Sequence, residues 1–336
     1  MVRLRLDQKG KFMKEILVRI GNLNTKIDTD IDDYFSYFKY FLQNEFFQLQ
    51  RDVELIIEIK SSLNFAKKDS IIMQQYKNSH IALAKKISLE SSDYLYLEDE
   101  NKYFINGDGF IGMIDISQCQ VFWEINSVID PRSAFHLLVL DPISLIAPKF
   151  STMIYHGALI NQNSKSSIAF LGMSGVGKST VSRLVSEKYG KAKVSDDTFA
   201  IFVKEDKVFV QPFFTGEGYL KGLKNFKSHD YDFILENEKK IYQFRIPNVN
   251  LDTTLDSILV LEKMDKDSSS TNLSLLTSTQ LLMQLLKHQA SISNPFVLKR
   301  LNMNKEISSL CNGYLVTYKE ICDIECFVNI MIHFDE

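Results

Sequence analysis

The chain has no dense run of lysine and arginine: where basic residues gather, in KSHDYD (227–232) or EKK (238–240), acids are interleaved. Its 39 basic and 42 acidic residues leave a formal charge of −3. That argues against a protein whose main partner is a nucleic-acid backbone, because such binding needs a clustered basic surface. An apolar leader is lacking too. MVRLRLDQKGKFMKEILV carries charges throughout and is not read as a secretory signal. The longest apolar stretch, from Leu137 to Ala147, is interrupted by Asp141 and Pro142 and is read as too short to span a bilayer, so no membrane partner is expected. Cysteine is sparse, at 119, 311, 322 and 326. Cys322 and Cys326 could share a helix face, but a Cys-x-x-x-Cys pair without companion ligands is a weak metal signal. All four are read as reduced, buried residues of a cytoplasmic protein. Internal repeats are absent, and arginine is scarce.

What remains is an ordinary globular composition. Hydrophobic residues make up 45% of the 336 and charged residues 24%, which predicts a packed core and room for two domains. KEILVRIG (14–21) and VELIIEIK (53–60) read as strands, and DYFSYFKYFLQ between them as an amphipathic helix begun by acids. YLYLEDENKYFING (94–107) reads as a hairpin turning at Glu98 to Asn101, and GFIGMIDISQCQVFWEI continues as strand. The aromatics here (24 Phe and 14 Tyr in the whole chain) are read as core rather than a ligand cage. A helix is expected over Arg132 to Pro148, and a domain boundary near residue 150. SSIAFL (166–171) is a continuous apolar run, as in a strand buried on both faces. Farther on, KDSSST (266–271) reads as a polar loop. TSTQLLMQLLKHQ reads as a helix opened by Thr277 and Gln280 in capping-box spacing.

Between these lies GMSGVGKST (172–180), directly after SSIAFL and before KSTVSRLVSEKY, a helix with apolar residues at 181, 184 and 185. Gly172, Gly175 and Gly177 permit backbone conformations that side chains with a Cβ resist, so a loop built from Gly172, Met173, Ser174, Gly175, Val176 and Gly177 can wrap a phosphate with inward N–H groups. The helix from Lys178, through Ser179 and Thr180, adds the positive end of its dipole. Lys178 supplies a mobile charge for the outer phosphates, and the Ser179 hydroxyl suits Mg²⁺. Strand, glycine loop, helix is the setting in which this spacing has structural meaning.

A phosphoryl-transfer site also needs acids, one for the metal and one to take the acceptor's proton. Three apolar runs end in acids: HLLVLD in Asp141, AKVSDD in Asp196 and Asp197, and SILVLE in Glu262. AKVSDD is the strongest candidate, since it follows the loop's helix and is expected in the same sheet. One carboxylate can face Mg²⁺ while its neighbour acts as base. Arg245, in FRIPNV, is a candidate cation for charge on the transferring group, and Glu217, in TGEGYL, a candidate metal ligand.

With YHGALI (155–160), GMSGVGKST and VSDD in this order, the chain resembles the HPr kinase/phosphorylase family. It resembles still more that family's relatives with other substrates, including kinases encoded beside modified-peptide genes. The resemblance covers about residues 150 to 265, and more loosely LLTSTQLLMQLLKHQ. It implies an α/β protein: a C-terminal P-loop kinase domain of the phosphoenolpyruvate-carboxykinase type with a mixed sheet, over 151–336, preceded by a smaller, variable α+β domain over 1–150. It also implies that His156 lies near the transferred phosphate. By the same pattern Asp196 accepts the proton of the substrate hydroxyl, and Asp197 stands on the metal side. Two features depart from the family pattern. Thr180 follows Ser179 where those kinases carry glutamate, and LKNFKSHDYDFILENEKK lacks their glycine-containing signature. The expectation is therefore a divergent relative rather than a true HPr kinase.

The resulting expectation is a kinase that uses ATP (GTP stays open) and Mg²⁺ to phosphorylate a hydroxyl on a peptide, a protein or a small molecule. A homo-oligomer stays open. A regulator that binds nucleotide without phosphotransfer is the alternative, disfavoured by two adjacent acids beside a histidine. A carboxykinase-type reaction ranks last, because arginine is scarce.

Overall fold

The structure is a computed structural model and describes residues 3–6, 12–42, 52–61, 84–89, 92–97, 101–107, 109–126, 129–161, 166–189, 192–195, 197–213, 217–220, 233–236, 240–244, 253–264, 272–289 and 296–319. They form a mixed α/β protein of two compact units, the first running to Phe150 and the second beginning at Ser151. The polar stretch 266–271 and Cys322 and Cys326 lie outside the described residues.

In the first unit the described strands are β1 (Arg3–Leu6), β2 (Phe12–Ile20), β3 (Leu23–Thr29), β4 (Leu55–Ser61), β5 (Ala84–Leu89), β6 (Ser92–Leu97), β7 (Lys102–Gly107), β8 (Phe110–Asp115) and β9 (Gln120–Ile125). They form one sheet in the order β1-β2-β3-β4-β9-β8-β7-β6-β5. It is mixed: β3 and β9 both run parallel to β4, and the other pairs are antiparallel. The hairpin over 94–107 forms from β6 and β7, with Leu97 opposite Lys102. Strand β3 was not among the expected elements. Its sequence LNTKIDT is too polar to announce itself, and it is held by pairing with β2 on one side and β4 on the other.

Helix α1 (Asp32–Phe41) starts with Asp32 and Asp33, whose charge suits a helix N-terminus. It turns Tyr34 and Phe38 into the core, where Phe38 meets the ring of Phe135 at 5.5 Å. Trp123 is buried and donates from Nε1 to the carbonyl of Leu138 at 3.0 Å. These aromatics are core. The helix expected from Arg132 is the run α2, Pro131–Phe150, capped by Asp130, whose carboxylate accepts from the Ser133 amide at 2.9 Å. Asp141 and Pro142 do not end it. A π-turn over His136–Leu140 changes the bonding pattern just where Pro142 offers no N–H, and the helix continues to Ile146 and a 3₁₀ turn. The expectation of a run too short to cross a bilayer is thereby corrected: at 20 residues it is long and apolar enough. However, 67% of its apolar window is buried inside the protein, as in a core helix.

The second unit is built on strands β10 (Thr152–His156), β11 (Ala158–Asn161), β12 (Ser166–Gly172), β13 (Ala192–Ser195), β14 (Thr198–Lys204) and β15 (Lys207–Pro212). A small separate sheet holds β16 (Glu217–Leu220), β17 (Phe233–Glu236) and β18 (Lys240–Phe244). The chain returns to the main sheet with β19 (Thr253–Lys263), β20 (Asn272–Leu276) and β21 (Asn312–Tyr318). The main path is β10-β14-β15-β19-β12-β11-β13, and β21 pairs with β19 and β20. Strand β12 is parallel to β19, and β19 to β21, whereas β11, β14 and β15 pair antiparallel.

All seven residues of β12 are buried, and both faces are covered, which explains its unbroken apolar run. Helix α3 (Lys178–Tyr189) packs Val181 and Val185 on one face against Ile168, Phe170, Leu259 and Leu261. On the other face, Leu281 and Leu285 of α4 (Ser278–Lys287) and Met303 and Ile307 of α5 (Val297–Leu310) cover Ala169, Leu171, Ile258 and Val260. Each fully buried Phe or Leu side chain contributes on the order of 1.5–3 kcal/mol. Helix α4 begins with the expected capping box: Thr277 Oγ1 accepts from the Gln280 amide at 3.3 Å, and Gln280 Oε1 accepts from the Thr277 amide at 2.9 Å.

Candidate active site

The glycine loop leaves the end of β12 and enters α3 at Lys178. Its shape depends on left-handed backbone at Gly172 (φ 154°), Gly175 (φ 79°) and Gly177 (φ 100°). A Cβ at Gly172 would also stand 2.7 Å from Val176 Cγ1 and 2.8 Å from the Leu261 carbonyl, so the chain could not turn there with any other residue. Val176 is tucked inward, and its amide donates to the Met173 carbonyl at 3.3 Å. Met173, Ser174, Gly175 and Ser179 are exposed, while Thr180 is half-buried. The Lys178 side chain is 6% exposed and folds back across the loop, donating to the carbonyls of Gly172 at 2.8 Å and Met173 at 3.1 Å. An ammonium held inside a ring of backbone, at the N-terminus of a 12-residue helix, makes a site that attracts anions.

The loop is pinned from below. Tyr318, the last residue of β21, is buried and donates its hydroxyl to the Val176 carbonyl, while burial pushes its pKa up and keeps the phenol protonated. Tyr318→Phe removes this tether and is expected to cost about 1 kcal/mol. Faster hydrogen exchange at the amides of Gly175 to Gly177, read together with thermal unfolding, checks it. Unchanged exchange would show that the loop holds its shape without the hydroxyl.

Beside the loop, two chain segments bend together. Strands β10 and β11 are consecutive, as are β13 and β14, and they pair β10 with β14 and β11 with β13. The ladder passes from one pair to the other where the Gly157 amide donates to the Asp197 carbonyl at 2.9 Å. Gly157 has to be small, because a Cβ there would lie 2.5 Å from the Phe170 carbonyl. The bend sets His156 opposite Asp197, with Nδ1 of His156 3.0 Å from Oδ1 of Asp197. The end of β13 is tied to β14 and to the residue after β15 by Ser195, whose hydroxyl lies 2.5 Å from the Thr198 carbonyl and 3.1 Å from that of Phe213, donating to them. Next to His156, the buried Tyr155 donates to Asn304 Oδ1 at 2.6 Å and ties β10 to α5.

Of the residues singled out in the sequence, the structure thus joins His156 to Asp197 and builds the loop from Gly172 to Thr180 around Lys178. Asp196 and Arg245 lie outside the described residues. Glu217 opens β16 in the separate small sheet. Glu262 follows Leu261, the register partner of Gly172, and so stands at the same end of the sheet as the loop. Asp141 lies in α2 of the first unit. Among the described residues no three His, Cys, Asp or Glu gather as a metal-binding group.

One residue was missed. His288 caps the C-terminus of α4, is 7% exposed, and accepts the His156 amide on its carbonyl at 3.4 Å. Burial, reinforced by the charges of Lys287, Lys178 and His156, lowers its pKa from 6.5 to about 4. Only the spacing of LLKHQ, which puts His288 just past the helix, hinted at it. The sign of the linkage is clear. Between pH 6.5 and about 4 the unfolded chain takes up a proton that the folded His288 refuses. Stability present above pH 6.5 is therefore expected to fall across that window, and His288→Leu should remove this part of the slope in thermal melts. Identical slopes would discount it.

No family model matches the chain, and no curated protein matches it. Among solved structures it is similar to the Hpr(Ser) kinase/phosphatase from Coxiella burnetii, at 13% identity and a TM-score of 0.30, over 55% of this chain and 99% of that one. A likeness this distant assigns the chain to no family.

Proposed function

We propose that the protein is an ATP- and Mg²⁺-dependent phosphotransferase that moves the γ-phosphoryl group to a hydroxyl of a peptide, a protein serine or a small molecule. The observation that carries this reading is the Lys178 ammonium, folded into a glycine loop at a helix N-terminus. The pairing of His156 with Asp197 supports it. The donors fit the groups they would receive. Loop amides and Lys178 suit the phosphates. Ser179 and Asp197 supply two oxygen ligands, which is what Mg²⁺ commonly takes from protein when phosphates and water complete its shell. Bound there, Mg²⁺ would neutralise charge on the phosphates.

In the proposed reaction the acceptor oxygen bonds to the γ-phosphorus, the bond from that phosphorus to the β–γ bridging oxygen breaks, and ADP leaves. Asp196 takes the acceptor's proton, His156 holds Asp197 in place, and Lys178 spreads the charge on the moving group. Transfer from γ-labelled ATP with Mg²⁺ into native cell extract and a panel of hydroxyl-bearing peptides and amino acids tests the reading. Label in one acceptor, lost in Lys178→Ala and Asp196→Asn, would support it and identify the acceptor class. Nucleotide binding without any labelled acceptor would favour a nucleotide-dependent regulator instead.

A further inference from the structure

We propose that Cys119 and Lys149 form a peroxide-responsive modification site, in which oxidation of the thiol ends in a covalent bond between Cys119 Sγ and Lys149 Nζ. Both residues belong to the first unit, and the site does not depend on the phosphotransferase reading. Lys149 sits in the 3₁₀ turn that ends α2, and its Nζ donates to Cys119 Sγ at 3.2 Å and to the Ser117 carbonyl at 3.3 Å. The sulfur is carried by the turn between β8 and β9, which is fixed on both sides. Asp115 Oδ1 accepts from the Ser117 hydroxyl at 2.6 Å and the Gln118 amide at 2.9 Å, and the Cys119 carbonyl accepts from the Ile56 amide at 3.1 Å. Cys119 takes left-handed backbone there (φ 52°), which glycine or asparagine adopts more easily, so turn geometry alone does not account for a cysteine.

Cys311, the other described cysteine, is a useful contrast. It is also free and buried, but its thiol donates to the Leu255 carbonyl at 3.1 Å, and burial pushes its pKa up to about 12, which keeps it protonated and inert. Cys119 faces a carbonyl as well, that of Ile116 at 3.6 Å, yet a nucleophilic nitrogen lies nearer, at 3.2 Å. Cys119 is only 4% exposed, while Lys149 is half-buried and Ser117 and Gln118 are exposed. Approach from the lysine side therefore suits a reagent as small as hydrogen peroxide. In the first step the sulfur, its proton lost to water, attacks one peroxide oxygen. The O–O bond breaks, the Lys149 ammonium protonates the departing oxygen to water, and Cys119 is left as the sulfenic acid. In the second step the lysine, now a neutral amine, attacks that sulfur. The S–N bond forms, the S–O bond breaks, and the hydroxide leaves with the amine's proton as water. The pair is thus oxidised by two electrons to a sulfenamide, and one peroxide is reduced to two waters. A small thiol reverses the change: its attack on sulfur breaks the S–N bond and returns the amine, and a second thiol frees Cys119.

The experiment treats the full chain with hydrogen peroxide and maps its tryptic peptides by mass, before and after dithiothreitol. The expected result is one joined species, the peptides bearing Cys119 and Lys149 less about 2 Da for two hydrogens, with no cleavage after Lys149. Dithiothreitol should restore the separate peptides, and Cys311 should remain a free thiol throughout. Lys149→Arg keeps the charge but removes the amine. There the joined species should be lost, and Cys119 should stop at a sulfenic acid that dimedone captures. Cys119→Ser should lose the joined species as well. A wild-type map with Cys119 unreacted, or oxidised without the link, would overturn the proposal whether or not the variants fold. So would a joined species that persists in Lys149→Arg.

Discussion

Replacing Lys178 by alanine is expected to weaken ATP binding by about 100-fold or more and to abolish phosphoryl transfer. The ammonium is buried and donates to the Gly172 and Met173 carbonyls, each an uncharged acceptor. A phosphate oxygen is a better acceptor than a carbonyl, because it is charged and its bond to the ammonium is roughly twice as strong. Truncating the buried member of such a pair costs about 2–5 kcal/mol, or roughly 30-fold to several thousand-fold in affinity. The fold should survive. The Met173 carbonyl lies in the exposed part of the loop, and the Val181 and Val185 contacts of α3 do not involve the lysine. Isothermal titration with ATP and thermal unfolding of the same variant separate the two effects. Undiminished ATP affinity would remove the loop from the site.

The second large effect is expected at the adjacent acids Asp196 and Asp197. Asp196→Asn should lower transfer by about 10²–10⁴-fold, the usual contribution of a positioned general base. ATP affinity should stay within a few-fold of wild type, because an amide in place of the carboxylate removes the proton acceptor but no phosphate ligand. Asp197→Asn is expected to act differently. It replaces the carboxylate 3.0 Å from His156 and should raise the Mg²⁺ concentration needed for half-maximal rate. Initial rates at varied ATP and Mg²⁺ distinguish the two. Full activity in Asp196→Asn would transfer the role of base to another residue, and Glu262, at the same sheet end, would be the first to test.

What could be read from the chain alone was local. SSIAFL became β12 because both its faces are covered, and KSTVSRLVSEKY became α3 because its apolar residues recur at helical spacing. Thr277 and Gln280 capped α4 as their spacing foretold, since a capping box is complete within four residues. The mixed α/β class was legible for the same reason. β3 was not, because its polar sequence is held by neighbours on both sides rather than by its own pattern.

The contacts around the loop come from tertiary structure. His156 and Asp197 meet because two bent strand pairs share one ladder, a fact of strand pairing that residue spacing does not encode. Tyr318 reaches Val176 across 142 positions of sequence because β19 places β21 in the same parallel array as β12. The His288 carbonyl meets the His156 amide because α4, on the face opposite α3, ends against β10. The sequence by itself determined the loop that can hold an anion, through glycines whose left-handed backbone no other residue adopts cheaply. Only the tertiary structure decided which distant side chains surround it, because burying both faces of one sheet fixes the order of strands that are far apart along the chain.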